Sequence, residues 1–439
     1  MGIRIRTTWP AGILGRAVPR LLLAALAGGA LLLSAAPAAD ALTSKHPILF
    51  VHGIEGSGAQ FESQAMRFES NGYAVTWIDE VDYNSTRAVG DKSEVDQQID
   101  AAIAALKQRT GKSQVDVVAH SLGTSVMYDY LTNGGMADQR RANVAHYINV
   151  DGQNQNPGVP TLAVWAGRGT PGRNMEGAQN VTIPDQTHVQ TCTSAESFIQ
   201  YFEFLRGGLP AQDIVPQKRI QLAGKALNFP QNAGLAGATV QMWPVDGNGV
   251  RTTTTPLASI AISDGSTGGG AWGPVAANAG QRYEFALVQT GLPTLHLYYE
   301  PFVRSDYTVR PGSVSAVMIR YKELWGDQGA ENDQLLINGL NVCTEVLCPI
   351  SKQVNAFFAF DRNRDGQTDL SQPDPVLSQL PFIQGADVYV PASSPPNATV
   401  SFQLISRGGG PVRTLNVPNW DATADGVTIQ WSDFDRLTF

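Results

Sequence analysis

The stretch that decides the fold runs from Val115 to Thr132 and reads VDVVAHSLGTSVMYDYLT. Its first part, Val115–Ala119, reads as a strand buried in a sheet, and Gly123–Thr132 reads as a helix closed by Gly134 and Gly135. Between the two stands Ala119-His120-Ser121-Leu122-Gly123. A nucleophile elbow requires such a strand-to-helix junction, because the sharp turn lifts the serine hydroxyl off the sheet. Small residues two positions on either side let the turn pass close to neighbouring strands. Here Ala119 takes the first glycine's place and adds one methyl.

Outward from this junction the chain alternates strand and helix. Pro47–Val51 (PILFV) is a continuous apolar run, the mark of a strand buried on both faces. Ala59–Ser70 reads as a helix and Ala74–Ile78 (AVTWI) as the next strand. Glu94–Lys107 sets Val95, Ile99, Ala102, Ile103 and Leu106 at helical spacing. Val144–Val150, Thr161–Ala166 and Asn180–Ile183 predict the remaining strands, and Thr193-x-x-Glu196 reads as a capping box opening a helix through Phe198, Tyr201, Phe202 and Leu205. This alternation predicts an α/β domain over 42–208, with a mostly parallel sheet covered on both faces.

After Gly207-Gly208 the pattern changes. Residues 217–439 predict no helix, only short runs such as Thr239–Trp243, Tyr283–Leu287, Leu295–Tyr299 and Thr399–Ile405 between turns, one of them Asp246-Gly247-Asn248-Gly249. That spacing predicts an all-β region of sandwich or barrel modules. Arg310-Pro311-Gly312 is the expected boundary between a first module, 217–310, and a second, 311–439; one larger β domain is the alternative.

Residues 1–41 carry Arg4, Arg6, Arg16 and Arg20, then the apolar run Leu21–Leu33, then Ala-Pro-Ala-Ala-Asp-Ala. This is the pattern of a cleaved secretory signal, so the mature chain is expected outside the cell. The apolar core is short for a membrane span, and no later stretch is long and apolar enough to cross a bilayer. Removing four arginines and one aspartate carries the net charge from −8 to −11. Such an acidic chain excludes nucleic acid as a partner, since phosphates need Lys and Arg.

Six histidines allow the general base to be found by elimination. His46 and His52 precede the nucleophile, whereas this fold orders its triad serine, acid, histidine. His120 adjoins Ser121 and does not reach its neighbour's hydroxyl; His146 begins a strand at the opposite edge of the sheet; His296 lies in the β region. His188, on the loop after the last strand, remains. For the acid, Asp151 ends the strand AHYINV at the carboxyl edge, where open α/β sheets keep their sites. Asp185 lies on the same loop as His188, too local to hold the imidazole in the usual way. Backbone N–H groups of Ile54, in the turn His52-Gly53-Ile54, and of Leu122 are the expected oxyanion donors.

With VHGI at Val51–Ile54, AHSLG at Ala119–Gly123 and the late loop histidine, Pro47–Leu205 resembles the small secreted bacterial lipases of the α/β-hydrolase superfamily, the class 2 triacylglycerol lipases. Compact members place the acid after the strand that here ends at Trp165, where this chain has no carboxylate; other lipases of the superfamily place it one strand earlier, as at Asp151. The overall plan is also similar to lipases whose catalytic domain precedes a lipid-binding β domain. The resemblance implies a Ser-Asp-His ester hydrolase acting on acylglycerol, with the β region at a lipid interface and no cofactor required. A polyester depolymerase on the same fold and a non-catalytic surface-binding protein are the alternatives.

Two further signals stand outside the triad. Asp361-x-Asn363-x-Asp365-Gly366-x-x-Asp369 has the oxygen spacing that opens a structural calcium loop, but Gln372 holds the twelfth position; a solvated hairpin turn is the other reading. Cys343 and Cys348 suit a local disulfide in an oxidising compartment, with Cys192 the odd cysteine.

Overall fold

The computed structural model describes residues 45–304, 317–321, 334–349, 354, 356–380, 382–405 and 411–431. The expected leader at 1–41 and the expected boundary at Arg310-Pro311-Gly312 lie outside the described residues.

A six-stranded sheet organises the first half. Its strands are β1 (Ile48–Val51), β2 (Ile78–Val81), β3 (Val115–His120), β4 (Val144–Val150), β5 (Thr161–Ala166) and β6 (Gln179–Ile183), in the order β2-β1-β3-β4-β5-β6. Every pairing is parallel. The helices are α1 (Glu62–Ser70), α2 (Ser85–Ala88), α3 (Ser93–Thr110), α4 (Leu122–Thr132), α5 (Ala137–Ala142), α6 (Gln190–Thr193) and α7 (Ala195–Arg206). Alternate side chains of the strands serve opposite faces. Ile48, Phe50, Val118, Ile148 and Val164 join Phe68, Phe198 and Tyr201 in one core. Leu49, Val51, Val117 and Ala119 join Ile99, Ile103, Met127 and Tyr130 in the other. Both faces being covered, β3 is buried along its whole length, as its sequence required.

Two local details differ from the sequence expectation. The AVTWI run is a turn of 3-10 helix at Val75–Trp77, and the strand begins only at Ile78. Residues Ile78–Val81 (IDEV) are buried at all four positions despite two carboxylates. Arg109 lies 2.6 Å from Asp79, and Lys225, from the β region, lies 2.8 Å from Glu80 and 2.6 Å from Asp82. Paired charges make such a strand possible and hide it from a hydrophobic pattern. Likewise the last helix is capped by Ser194, whose hydroxyl accepts from the Ser197 N–H at 3.2 Å, rather than by Thr193.

The β region belongs to the same compact unit as the hydrolase-like half, Leu42–Phe439. Its strands are β7 (Arg219–Asn228), β8 (Ala233–Gly234), β9 (Thr239–Val245), β10 (Ala258–Ala261), β11 (Ala271–Asn278), β12 (Arg282–Val288), β13 (Thr294–Tyr299), β14 (Val317–Tyr321), β15 (Gln334–Ile337), β16 (Leu340–Asn341), β17 (Ala356–Phe360), β18 (Ile383–Asp387), β19 (Thr399–Ile405), β20 (Arg413–Pro418) and β21 (Asp425–Gln430). Most pairings are antiparallel. One sheet runs β10-β9-β12-β13-β21 and packs with β11-β7-β14; a third runs β16-β15-β19-β20; β17 and β18 pair separately. The last strand, β21, returns to pair in parallel with β13, Thr294 opposite Asp425 through Tyr299 opposite Gln430. His296 bridges this seam, with Nδ1 2.7 Å from Glu284 and Nε2 2.9 Å from Asp425. Cys343 and Cys348 are joined in a disulfide with Cα atoms 5.1 Å apart. Cys192 is buried and outside any disulfide.

Candidate active site

Ser121 follows β3 and caps α4 with φ 51° and ψ −120°, a conformation that L side chains rarely adopt. Its own N–H donates to the Val150 carbonyl at 3.1 Å, which anchors the turn to β4. A Cβ on Gly123 would stand 2.5 Å from the carbonyl oxygens of Val51 and His52, so only glycine lets the elbow pack on β1. The turn after β1 is equally close: a Cβ on Gly53 would meet the Ser121 Cβ at 3.0 Å. This brings Ile54 and the elbow to the same edge. Leu122 is the first residue of α4, so its N–H has no acceptor within the helix.

Asp151 and His188 meet beside the elbow. His188 Nδ1 lies 2.6 Å from Asp151 Oδ2. Asp151 sits just beyond β4 with φ +45°, fixed by its own N–H to the Val164 carbonyl at 2.8 Å. The other oxygen, Oδ1, accepts from the Ala166 N–H at 3.0 Å and from Arg173 at 2.9 Å. Burial alone would raise the Asp151 carboxyl; the His188 hydrogen bond, the Ala166 N–H and the Arg173 guanidinium outweigh it and hold the group below the ordinary carboxylate range. Asp185 is exposed to solvent, while the Nδ1 of His188 faces Asp151.

Three of the remaining histidines are occupied elsewhere. His146 Nδ1 is 2.8 Å from Asp116, His52 stacks on Tyr83 with ring centroids 4.2 Å apart, and His296 belongs to the β13–β21 seam. His120 lies against His188, ring centroids 4.5 Å apart.

Residues 45–162 match the sequence model of the class 2 lipases, 218–313 match that of the lipase C-terminal domain, and 303–435 match that of a further C-terminal domain. The first half is thus similar to the class 2 lipases and the β region to the C-terminal domain of lipases. No curated protein matches it in sequence. Among solved structures it is similar to a CIB-like hydrolase from Thermoplasma acidophilum, at 12% identity over 37% of this chain and 87% of that one, with a TM-score of 0.28. It is also similar to phospholipase PlaB from Legionella pneumophila, at 10% identity over 63% and 93% of the two chains, TM-score 0.28. Lipase B from Aspergillus fumigatus matches at 12% identity over 31% and 44%, TM-score 0.25.

Three neighbours of the lipase-like site escape a reading of the sequence. Arg173, whose guanidinium carbon lies 4.3 Å from the Trp165 ring centroid, brings a cation to Asp151 from beyond β5, where compact lipases would have a carboxylate. Gln60, beside the Gly53 turn, contacts His120 at 2.7 Å. Phe382, from the β region, stacks on His188 with centroids 5.7 Å apart and planes 12° apart. A strong basic or aromatic signal far along the chain has no local pattern to announce it; only the tertiary fold brings these groups together.

The side-chain oxygens of the calcium-like loop accept backbone hydrogen bonds within it. Asp361 accepts from the N–H groups of Asp365 and Gly366 at 3.2 and 3.0 Å, Asn363 from Asp365 at 2.9 Å, Asp365 from Gln367 at 2.8 Å, and Asp369 from Ser371 at 2.9 Å. Among the described residues no three His, Cys, Asp or Glu side chains are grouped to hold a metal ion.

Proposed function

We propose that the protein is a secreted serine hydrolase of carboxylic esters, acting on acylglycerols as a triacylglycerol lipase. The observation that carries this reading is the 2.6 Å bond between His188 and Asp151 beside a serine in an elbow conformation. In the proposed reaction His188 Nε2 takes the Ser121 hydroxyl proton as Oγ attacks the ester carbonyl. Asp151 keeps the remaining ring proton on Nδ1 and stabilises the imidazolium that forms. The N–H groups of Ile54 and Leu122 receive the oxyanion. His188 then gives its proton to the departing alcohol, which leaves an acyl-enzyme on Ser121. Water, deprotonated by the same histidine, releases the fatty acid and restores the serine. These side chains and water complete the chemistry, so the reaction as proposed draws on no metal or organic cofactor.

The lipase-family match supports an ester or lipid substrate. The arginine-led apolar leader in the sequence of residues 1–41 supports export. Among the described residues no helix is long and apolar enough to cross a membrane.

The test is hydrolysis of p-nitrophenyl esters from acetate to palmitate, with fluorophosphonate labelling of Ser121. Wild type is expected to turn over and to be labelled, and Ser121→Ala to do neither. Emulsified triacylglycerol is expected to be cleaved better than a polyester film; the reverse result makes the protein a polyester depolymerase, and no turnover or labelling makes it a binding protein. Asp151→Asn is expected to lower kcat by about four orders of magnitude by favouring the wrong histidine tautomer. An equal loss in Asp185→Asn with Asp151→Asn unaffected moves the acid.

A further inference from the structure

Three segments meet at the proposed site: the turn after β1 with Gly53 and Ile54, the elbow, and the loop that carries His188. One chain of hydrogen bonds crosses all three. The Gly53 N–H donates to Gln60 Oε1 at 3.3 Å, Gln60 Nε2 lies 2.7 Å from His120 Nδ1, and His120 Nε2 lies 2.9 Å from the His188 carbonyl oxygen.

The direction of this chain follows from donor and acceptor capacity. A carbonyl oxygen only accepts, so His120 Nε2 must carry a proton. Burial first, and then the nearby His188, push the His120 ring down to about 3, so near neutral pH it holds one proton. Its Nδ1 is therefore an acceptor and Gln60 Nε2 the donor. That orientation leaves Gln60 Oε1 facing the Gly53 N–H, where an acceptor is needed. Each group is used in the one role it has available. His120 is buried to 2% exposure, so a broken link would leave a polar atom without water.

We propose that Gln60 and His120 are positioning residues, which hold the oxyanion turn, the nucleophile and the base loop in mutual register through one directed chain, Gly53 to Gln60 to His120 to the His188 carbonyl. The proposal rests on the Ser121-Asp151-His188 reading. Neither side chain exchanges a proton with substrate. Their effect comes through geometry: the His188 backbone fixes where its imidazole meets Ser121, and Gly53 adjoins the Ile54 N–H. Misplacement of such groups by about 1 Å is worth about 100-fold in rate. The ionisable groups facing His120 are His188 and Asp151 on the base side and His52 at the end of β1.

Gln60→Leu and Gln60→Glu separate this role from plain packing. Leucine removes both links. Glutamate still accepts from Gly53 but cannot donate to a neutral Nδ1, so its chain closes only when His120 is protonated, and its carboxylate favours that state. With a soluble p-nitrophenyl ester near neutral pH, both variants are expected to lose about 10- to 100-fold in kcat, with KM changed less than about threefold. Fluorophosphonate labelling of Ser121 is expected to slow in parallel. Expressed against wild type at each pH, Gln60→Glu is expected to recover from pH 8 to pH 5, and Gln60→Leu to stay flat. Wild-type rates in both variants, or the same pH-independent loss in both, overturn the proposal while leaving the triad intact. Full activity of Ser121→Ala, measured alongside, instead overturns the triad reading and this inference with it. Thermal unfolding of each variant identifies global loss of fold; if Gln60→Leu does not fold, the pH recovery of Gln60→Glu decides alone.

Discussion

Close backbone approach sets the terms for individual residues at the site. Ser121 keeps φ +51° because Gly123 lets α4 start against the carbonyls of β1. Gly123→Ala would force a methyl within 2.5 Å of two backbone oxygens, and backbone cannot give way as a side chain end can. We expect it to cost about 1–3 kcal/mol or more and to lower Ser121 labelling; the check is chemical denaturation with fluorophosphonate labelling on the same sample. Arg173 sets a second expectation. Asp151 is held below its ordinary value, so its contribution to stability is present above about pH 4 and is lost as pH falls through the folded-state value. Arg173→Ala removes one of the groups holding it down, so the acid loss should begin at a higher pH than in wild type. An acid titration of unfolding by fluorescence reads this directly, and coincident curves would remove Arg173 from the account.

Among the elements, β2 shows what packing permits when charges are paired. Burial pushes Glu80 up to about 8 and Asp79 to about 7, while Lys225 is held charged between Glu80 and Asp82. Glu80→Gln is expected to leave thermal stability at pH 7 nearly unchanged, whereas Lys225→Met strands Asp82 and costs about 3–5 kcal/mol. Equal losses in the two would show Glu80 to be ionised. The same charges explain which elements a sequence can reveal. VDVVA and YINV declare themselves by apolar content, and the elbow by its place between strand and helix. IDEV does not, because the partners that neutralise it come from α3 and from β7. Ser194 takes the cap next to Thr193 because only the tertiary fold decides which hydroxyl reaches the helix. At the proposed site Ser121, Asp151 and His188 have local signatures, strand ends and loops, that chain order can sort. Gln60, Arg173 and Phe382 have none.

Over the described residues, the β region reaches the hydrolase-like half by apolar packing, such as Leu227 on Ala59, and by two further kinds of contact. One is polar: Lys225 on Glu80 and Asp82, and Asn232, which donates to the carbonyls of Gly56 at 2.9 Å and Tyr83 at 3.0 Å. The other is Phe382 over His188. An aromatic ring on the imidazole keeps water from that face and strengthens the hydrogen bond beneath it. Phe382→Ala is therefore expected to lower kcat on a soluble ester by about 2- to 10-fold, the worth of one aromatic pair. Phe360→Ala, on the exposed end of the β17–β18 pair, should leave it alone. A steady-state comparison of the two variants decides the matter.

The parallel seam between β13 and β21 has a consequence in time rather than in space. A chain that emerges from its N-terminus has the six strands of the parallel sheet in hand by Ile183, yet β13 must wait for Asp425–Gln430 before that edge is matched. Non-local pairing of that kind is slow, and an unmatched edge invites pairing with other chains. Each newly made molecule thus passes through an interval in which its hydrolase-like half can close while its β half remains open to its neighbours, and a chain cut short before Asp425 stays in that interval.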